Sequence, residues 1–200
     1  ESNVGMSDPK ERLAHVLERI KAAETRAGRA SGSVTLIAVT KTKSSETVAL
    51  ARSLGLTHFG ENYVQEATRK MERVKSLLPA AEIHWHLIGS LQTNKSKFVV
   101  GRFDLIHSVD RLELAKTLNT RAQEAGIVQN ILLQIKLGDE PGKGGALPET
   151  APALIEAIQE FPHIKIRGLM MLPPLEADPE DSRKFFAQLR EYQMKWSPLL

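Results

Sequence analysis

Val34-Thr35-Leu36-Ile37-Ala38-Val39-Thr40-Lys41 is a run of strand-forming residues that closes on a lysine. Alternation puts Thr35, Ile37, Val39 and Lys41 on one face and Leu36, Ala38 and Thr40 on the other. Apolar residues on both faces suit a parallel sheet covered on both sides. An ammonium group at the end of such a strand is costly to bury. The run therefore predicts one of two things. The lysine snorkels to solvent, or it lies in a partly dry pocket where its neutral, nucleophilic form becomes accessible. The second is the setting of a Schiff-base lysine.

Outward from this strand, the pattern repeats. Strands are expected at 34–40, 57–60, 83–88, 104–108, 130–136 and 164–171, with helical segments near 45–55, 62–78, 92–100, 111–125, 148–161 and 179–195. A further helix opens near Ser7, with Asp8 and Pro9 as start signals and Leu13, Val16, Leu17 and Ile20 on one face. Near-continuous apolar runs such as Ile131-Leu132-Leu133 fit a buried parallel sheet. Six βα units in succession, with no GxGxxG or GxxxxGK[ST] loop, point to a (β/α)₈ TIM barrel and away from a doubly wound sheet. Six units leave two barrel edges open, which is unfavourable, so Trp196-Ser197-Pro198-Leu199-Leu200 reads as a chain stopped within its fold. Residues 6–200 are expected to form a single domain, and residues 1–5, before Met6, read as a cloning remnant.

Composition excludes several classes. The 200 residues carry a net charge of only +3, with no basic block of the kind a nucleic-acid ligand calls for. Cysteine is absent, which removes disulfides, thiolate nucleophiles and cysteine metal sites. No apolar run approaches the length of a membrane span or a signal-peptide core. A cytoplasmic monomer that binds neither nucleic acid nor membrane is expected.

Polar residues then gather at the C-terminal ends of the expected strands, the rim where barrels hold ligands. Lys41 ends the first and Asn62 follows the second, where it also suits a helix N-cap. In the third strand, His84, His86 and Ile88 face the barrel interior while Ile83, Trp85 and Leu87 pack beneath helices. Hydrogen-bonded histidines are favoured there over a metal site. Met170 on the sixth strand lines a pocket or fills core. The stretch 138–146, rich in glycine, is expected to be a mobile loop on the same face.

Four segments carry a specific resemblance. Ala38-Val39-Thr40-Lys41-Thr42-Lys43, Phe59-Gly60-Glu61-Asn62-Tyr63-Val64-Gln65-Glu66, Trp85 to Lys95 and Arg167-Gly168-Leu169-Met170 resemble, in order and spacing, the motifs of the pyridoxal phosphate homeostasis proteins. The resemblance runs from about residue 10 to the end of the chain. It implies a barrel of the alanine racemase N-terminal domain type with pyridoxal 5′-phosphate as cofactor. It also implies that Lys41 holds the cofactor covalently as a Schiff base, that Asn62 lies close to the pyridine ring and that Met170 lines the pocket. His86 and Lys143 match family positions with less defined roles, and Lys143 also suits a solvated loop lysine.

The resemblance implies two more segments, Ser-x-Gly-Met-Ser and Arg-Ile-Gly-Thr, that grip the phosphate and neighbour the pyridine nitrogen. Neither occurs in these 200 residues, and a chain ending at Leu200 is expected to bind the cofactor poorly or not at all.

The implied role is intracellular homeostasis of the cofactor: reversible holding and release to pyridoxal-phosphate-dependent enzymes through transient contact, with no catalytic residues and no turnover. The alternative is an amino-acid racemase or decarboxylase of the same barrel type, and a Schiff-base aldolase is a third reading. Two-base racemisation needs a second acid–base group across the cofactor, and Tyr63 and Tyr192 are the only tyrosines.

Overall fold

The computed structural model describes residues 8–176 and 178–200, so the proposed remnant at 1–5 and Ser7 lie outside the described residues. The chain begins with helix α1 (Pro9–Arg26), where the Asp8 carboxylate accepts the Lys10 amide at 3.2 Å and proline occupies the first turn. At its other end, buried Glu24 accepts the Val34 amide at 3.0 Å and the Ser33 hydroxyl at 3.3 Å, which fixes the path into the sheet. The expected stripe on α1 is only partly covered: Leu13 and Ile20 are half-buried, while Val16 and Leu17 are 39% and 45% exposed.

Six strands and five further helices then alternate. They are β1 (Ala38–Val39), α2 (Ser45–Ser53), β2 (His58–Glu61), α3 (Val64–Leu77), β3 (His84–Leu87), β4 (Leu105–Val109), α4 (Leu112–Ala125), β5 (Gln129–Gln134), α5 (Ala151–Gln159), β6 (Ile164–Met170) and α6 (Arg183–Trp196). All neighbours are parallel and the strands lie side by side in chain order, β1 to β6. This is the wall of a (β/α) barrel: each helix carries the chain back so that the next strand adds to the same edge.

Register sorts the side chains into two faces. Phe59 pairs with Trp85, Ile106 with Ile131 and Ile131 with Ile166, and this face is buried under Val48, Ala67, Val74, Leu114, Leu118, Ile155 and Ile158. Each fully buried aliphatic side chain here contributes about 1.5–3 kcal/mol. The opposite face carries His58, Gly60, His84, His86 and His107, with exposed Lys165 and Arg167 on β6. Polar groups therefore line the inside of the wall and the apolar core lies between wall and helices.

Two expected elements differ. The strand expected over 34–40 is reduced to Ala38–Val39, because this edge strand has one neighbour and β2 begins only at His58, opposite Ile37. The helix expected near 92–100 is a 3₁₀ segment, Thr93–Phe98. Its Thr-Asn-Lys-Ser-Lys sequence holds residues whose side chains compete with the backbone for hydrogen bonds, which suits a short tight turn better than an α-helix.

Candidate cofactor site

Because all six strands run the same way, the ends of β1, β2, β3 and β6 open on one edge of the wall. Thr40 donates its amide to the Gly60 carbonyl at 3.0 Å, continuing the β1–β2 ladder one residue past the strand. Lys41 follows in a turn closed by the Lys43 amide on the Thr40 carbonyl at 3.0 Å. Thr42 takes φ +62°, the left-handed region that β-branched residues rarely enter. Of the two settings the run allows for Lys41, the structure shows the solvent-exposed one and not the partly dry pocket. The strand ends two residues before it, the chain turns, and the side chain is exposed, as is Lys43. Val39, on the same side of the strand, is 51% exposed.

Asn62 follows β2 on the adjacent strand end. The N-cap residue of α3 is Tyr63, without a side-chain cap, so the expected capping role for Asn62 is not observed. Its Oδ1 is buried and has no hydrogen-bond partner among the described residues. A buried acceptor left open is unfavourable unless a ligand or water completes it. Gly89, just past β3, packs directly on this residue: a Cβ there would lie 2.5 Å from the Asn62 carbonyl oxygen. Asn62, Tyr63, Val64, Gln65, Ser90, Gln92 and Lys95 enclose a groove of about 290 Å³.

His86 lies two residues deeper on β3, paired with Gly60, and faces the barrel interior as expected. Its Nε2 meets His58 Nδ1 at 2.9 Å and its Nδ1 meets His107 Nε2 at 2.9 Å. His84 stacks on His58 with centroids 4.7 Å apart. Burial lowers His86 and His107 to about 4, with the neighbouring imidazoles adding to the effect at His86. These rings are neutral near pH 7, and both nitrogens of His86 are engaged. Neither ring nitrogen of His86 is left open for a ligand.

Met170 closes β6 opposite Gln134 and is half-buried. It stands three strands from His86, so Lys41, Asn62 and His86 fall on neighbouring strands while Met170 belongs to the far part of the wall. The 138–146 loop, expected to be mobile, is hydrogen-bonded at several points along its length. Gly145 donates to the Asp110 carboxylate at 2.9 Å, Ala146 to the Gln134 carbonyl at 2.8 Å, and Leu175 to Glu140 at 2.7 Å. Lys143 is paired with Glu140 at 2.7 Å and donates to the Pro173 carbonyl at 3.2 Å. It is tied to the loop's own framework and is not a free lysine.

Sequence reading passed over a buried ion cluster. Lys70 of α3, 5% exposed, is in ionic contact with Glu61, 1% exposed at the end of β2, and with Glu66 at 3.1 Å. Desolvation raises the Glu61 carboxyl and Lys70 opposes it. A signal was available: Ala67, Lys70 and Val74 share one helical face, so the lysine interrupts an otherwise apolar stripe.

Parallel strands in chain order, with lysine, amide and imidazole groups at their C-terminal ends, define the wall of a (β/α) barrel with a ligand-binding rim. The profile described as alanine racemase, N-terminal domain matches residues 12–195. The chain is 44% identical over 181 residues to the pyridoxal phosphate homeostasis protein of Aquifex aeolicus, covering 90% of this chain and 78% of that protein. It is 40% identical over 173 residues to the Escherichia coli protein of the same name, covering 86% and 74%. The chain belongs to the pyridoxal phosphate homeostasis protein family within that domain class. Among solved structures it is similar to PipY of Synechococcus elongatus with PLP bound, at 35% identity and TM-score 0.76, covering 92% of this chain and 84% of that one. An alanine racemase of Clostridium difficile shares the fold, at 13% identity and TM-score 0.68 over 90% of this chain and 49% of that one.

Proposed function

We propose that this protein binds pyridoxal 5′-phosphate as a single barrel domain and acts in its homeostasis, holding the cofactor through Lys41 and releasing it without turning over a substrate. The observation that carries the reading is Lys41 just past the end of β1, the strand neighbouring that of Asn62, whose buried Oδ1 is open, in a chain 44% identical to a pyridoxal phosphate homeostasis protein. When bound, the cofactor supplies an aldehyde that condenses reversibly with an amine.

The chain's residues divide the work. Lys41, exposed, can exchange its partner with amines from solution, which suits holding and release. Asn62 presents an acceptor for a donor on the ligand. Gly89 allows the close approach that keeps Asn62 in place. His86, neutral and held at both nitrogens, forms a fixed floor that carries no charge near pH 7. Met170 supplies apolar contact from β6. Tyr192 stacks on Trp196 within α6, centroids 4.6 Å apart, so it is committed to packing and not to acid–base chemistry at the rim. Partners are the cofactor itself and, in transient contact, the enzymes that take it up. No described helix is long and apolar enough to cross a membrane.

The test is to add pyridoxal phosphate to the purified protein and follow imine absorbance for the native chain and Lys41→Ala. Loss of the band in the variant is expected. Retention at full stoichiometry would refute Lys41 as the attachment point. Sustained racemisation or decarboxylation across a panel of amino acids would overturn the non-enzymatic reading.

A further inference from the structure

The two peptide groups that flank Lys41 are both held by side chains of α3. The Thr40 carbonyl, on its N-terminal side, accepts from Lys70 Nζ at 2.5 Å. The Thr42 amide, on its C-terminal side, donates to Glu66 Oε1 at 2.6 Å. Glu66 and Lys70 are one helical turn apart and in contact at 3.1 Å, and Lys70 is anchored in turn on Glu61 of β2. The same Glu66 oxygen serves both the amide and the ammonium, so the pair acts as one bracket around a single residue.

A bracket of this kind has a specific effect. Thr42 sits at φ +62°, a conformation costly for a β-branched residue and kept only where something holds it. Fixing both neighbouring peptides fixes the Cα–Cβ direction from which the exposed Lys41 side chain sets out. Lys43, two residues on, is equally exposed; its amide only closes the turn on Thr40, and no side chain of α3 holds it.

We propose that Glu66 and Lys70 are positioning residues that aim the Lys41 amine, beyond joining α3 to the sheet. The proposal rests on the reading of Lys41 as the attachment point. Aiming one amine raises its effective concentration at the bound aldehyde over that of its neighbours. Selection between Lys41 and Lys43 is then set from α3, not by burial of either amine.

The experiment is a brief exposure to pyridoxal phosphate, borohydride reduction and peptide mass spectrometry, read as the ratio of label on Lys41 to label on Lys43. The native chain is expected to label Lys41 preferentially, and Lys41→Ala to lose the main product. Glu66→Ala lowers the ratio by about tenfold, and Glu66→Gln, which keeps an oxygen for the Thr42 amide, restores it to within about twofold. A folded Glu66→Ala with an unchanged ratio, or with both labels reduced in parallel, overturns the proposal and leaves the bracket a plain packing element. Should Glu66→Ala not fold, Thr42→Gly releases the same turn without touching α3, and an unchanged ratio there overturns it equally. Equal labelling of Lys41 and Lys43 in the native chain removes the underlying reading, and the proposal with it.

Discussion

Replacing Lys70 with methionine keeps most of the side chain's volume and deletes its ammonium, leaving the Glu61 carboxylate, 1% exposed, without a cation. The carboxyl escapes by taking a proton, a direction in which burial already pushes it. That escape sets the ceiling on the cost. Protonating a carboxyl of ordinary pKa about 4.3 at pH 7 takes about 1.36 kcal/mol per pH unit, or about 3.7 kcal/mol. Losing the bond to the Thr40 carbonyl adds about 1 kcal/mol, so the variant is less stable by about 4–5 kcal/mol at pH 7. At pH 5 the proton costs only about 1 kcal/mol, and the total falls to about 2 kcal/mol. The sign follows from linkage: the folded variant binds a proton that the unfolded chain lacks, so its penalty grows as pH rises above the carboxyl's unfolded pKa. Urea unfolding at both pH values measures this, and Glu61→Leu combined with Lys70→Met recovers most of the loss. A penalty independent of pH, or below about 1 kcal/mol at pH 7, would refute the reasoning.

Other expectations follow from the same contacts. His86 and His107, lowered to about 4 by burial, stay neutral in the folded state where the unfolded chain takes protons; their stabilisation is complete above about pH 6.5 and is lost as pH falls toward 4, by up to about 3 kcal/mol each and less in sum because the rings are coupled. His107→Asn flattens that acid limb in unfolding curves taken between those pH values. Gly89→Ala forces a Cβ to within 2.5 Å of the Asn62 carbonyl; a loss of about 1–3 kcal/mol and weaker retention of pyridoxal phosphate are expected by thermal melting and equilibrium dialysis. Ile131→Ala, at a fully buried position in the middle of the wall, costs about 2–5 kcal/mol by denaturant titration.

Much of the wall was legible in sequence because one face of each strand is packed beneath helices, as Ile131 and Leu133 are on β5. The order of strands followed from alternation with helices. Edge effects were not legible: residues 34–37 have strand-forming side chains, but with one neighbouring strand and no ladder opposite them they run beside the sheet without joining it. Lys41 stands out in sequence at the end of its strand run, but alternation alone left its setting open, because the strand stops at Val39 and the chain then turns. The partners of His86 were hidden for another reason. His58 and His107 sit 28 and 21 residues away, and only the parallel register of β2, β3 and β4 sets the three rings in one row.

That row has a polarity. A neutral imidazole carries a single N–H, so His86 must give to one neighbour and receive from the other, and the three tautomers are locked together. Only two arrangements satisfy both contacts in the row, of opposite direction, and passing between them shifts one hydrogen at each junction. Three strands of the wall are thereby stitched by a directional thread of dipoles, which reverses as a unit when a proton is added at one terminus and withdrawn at the other.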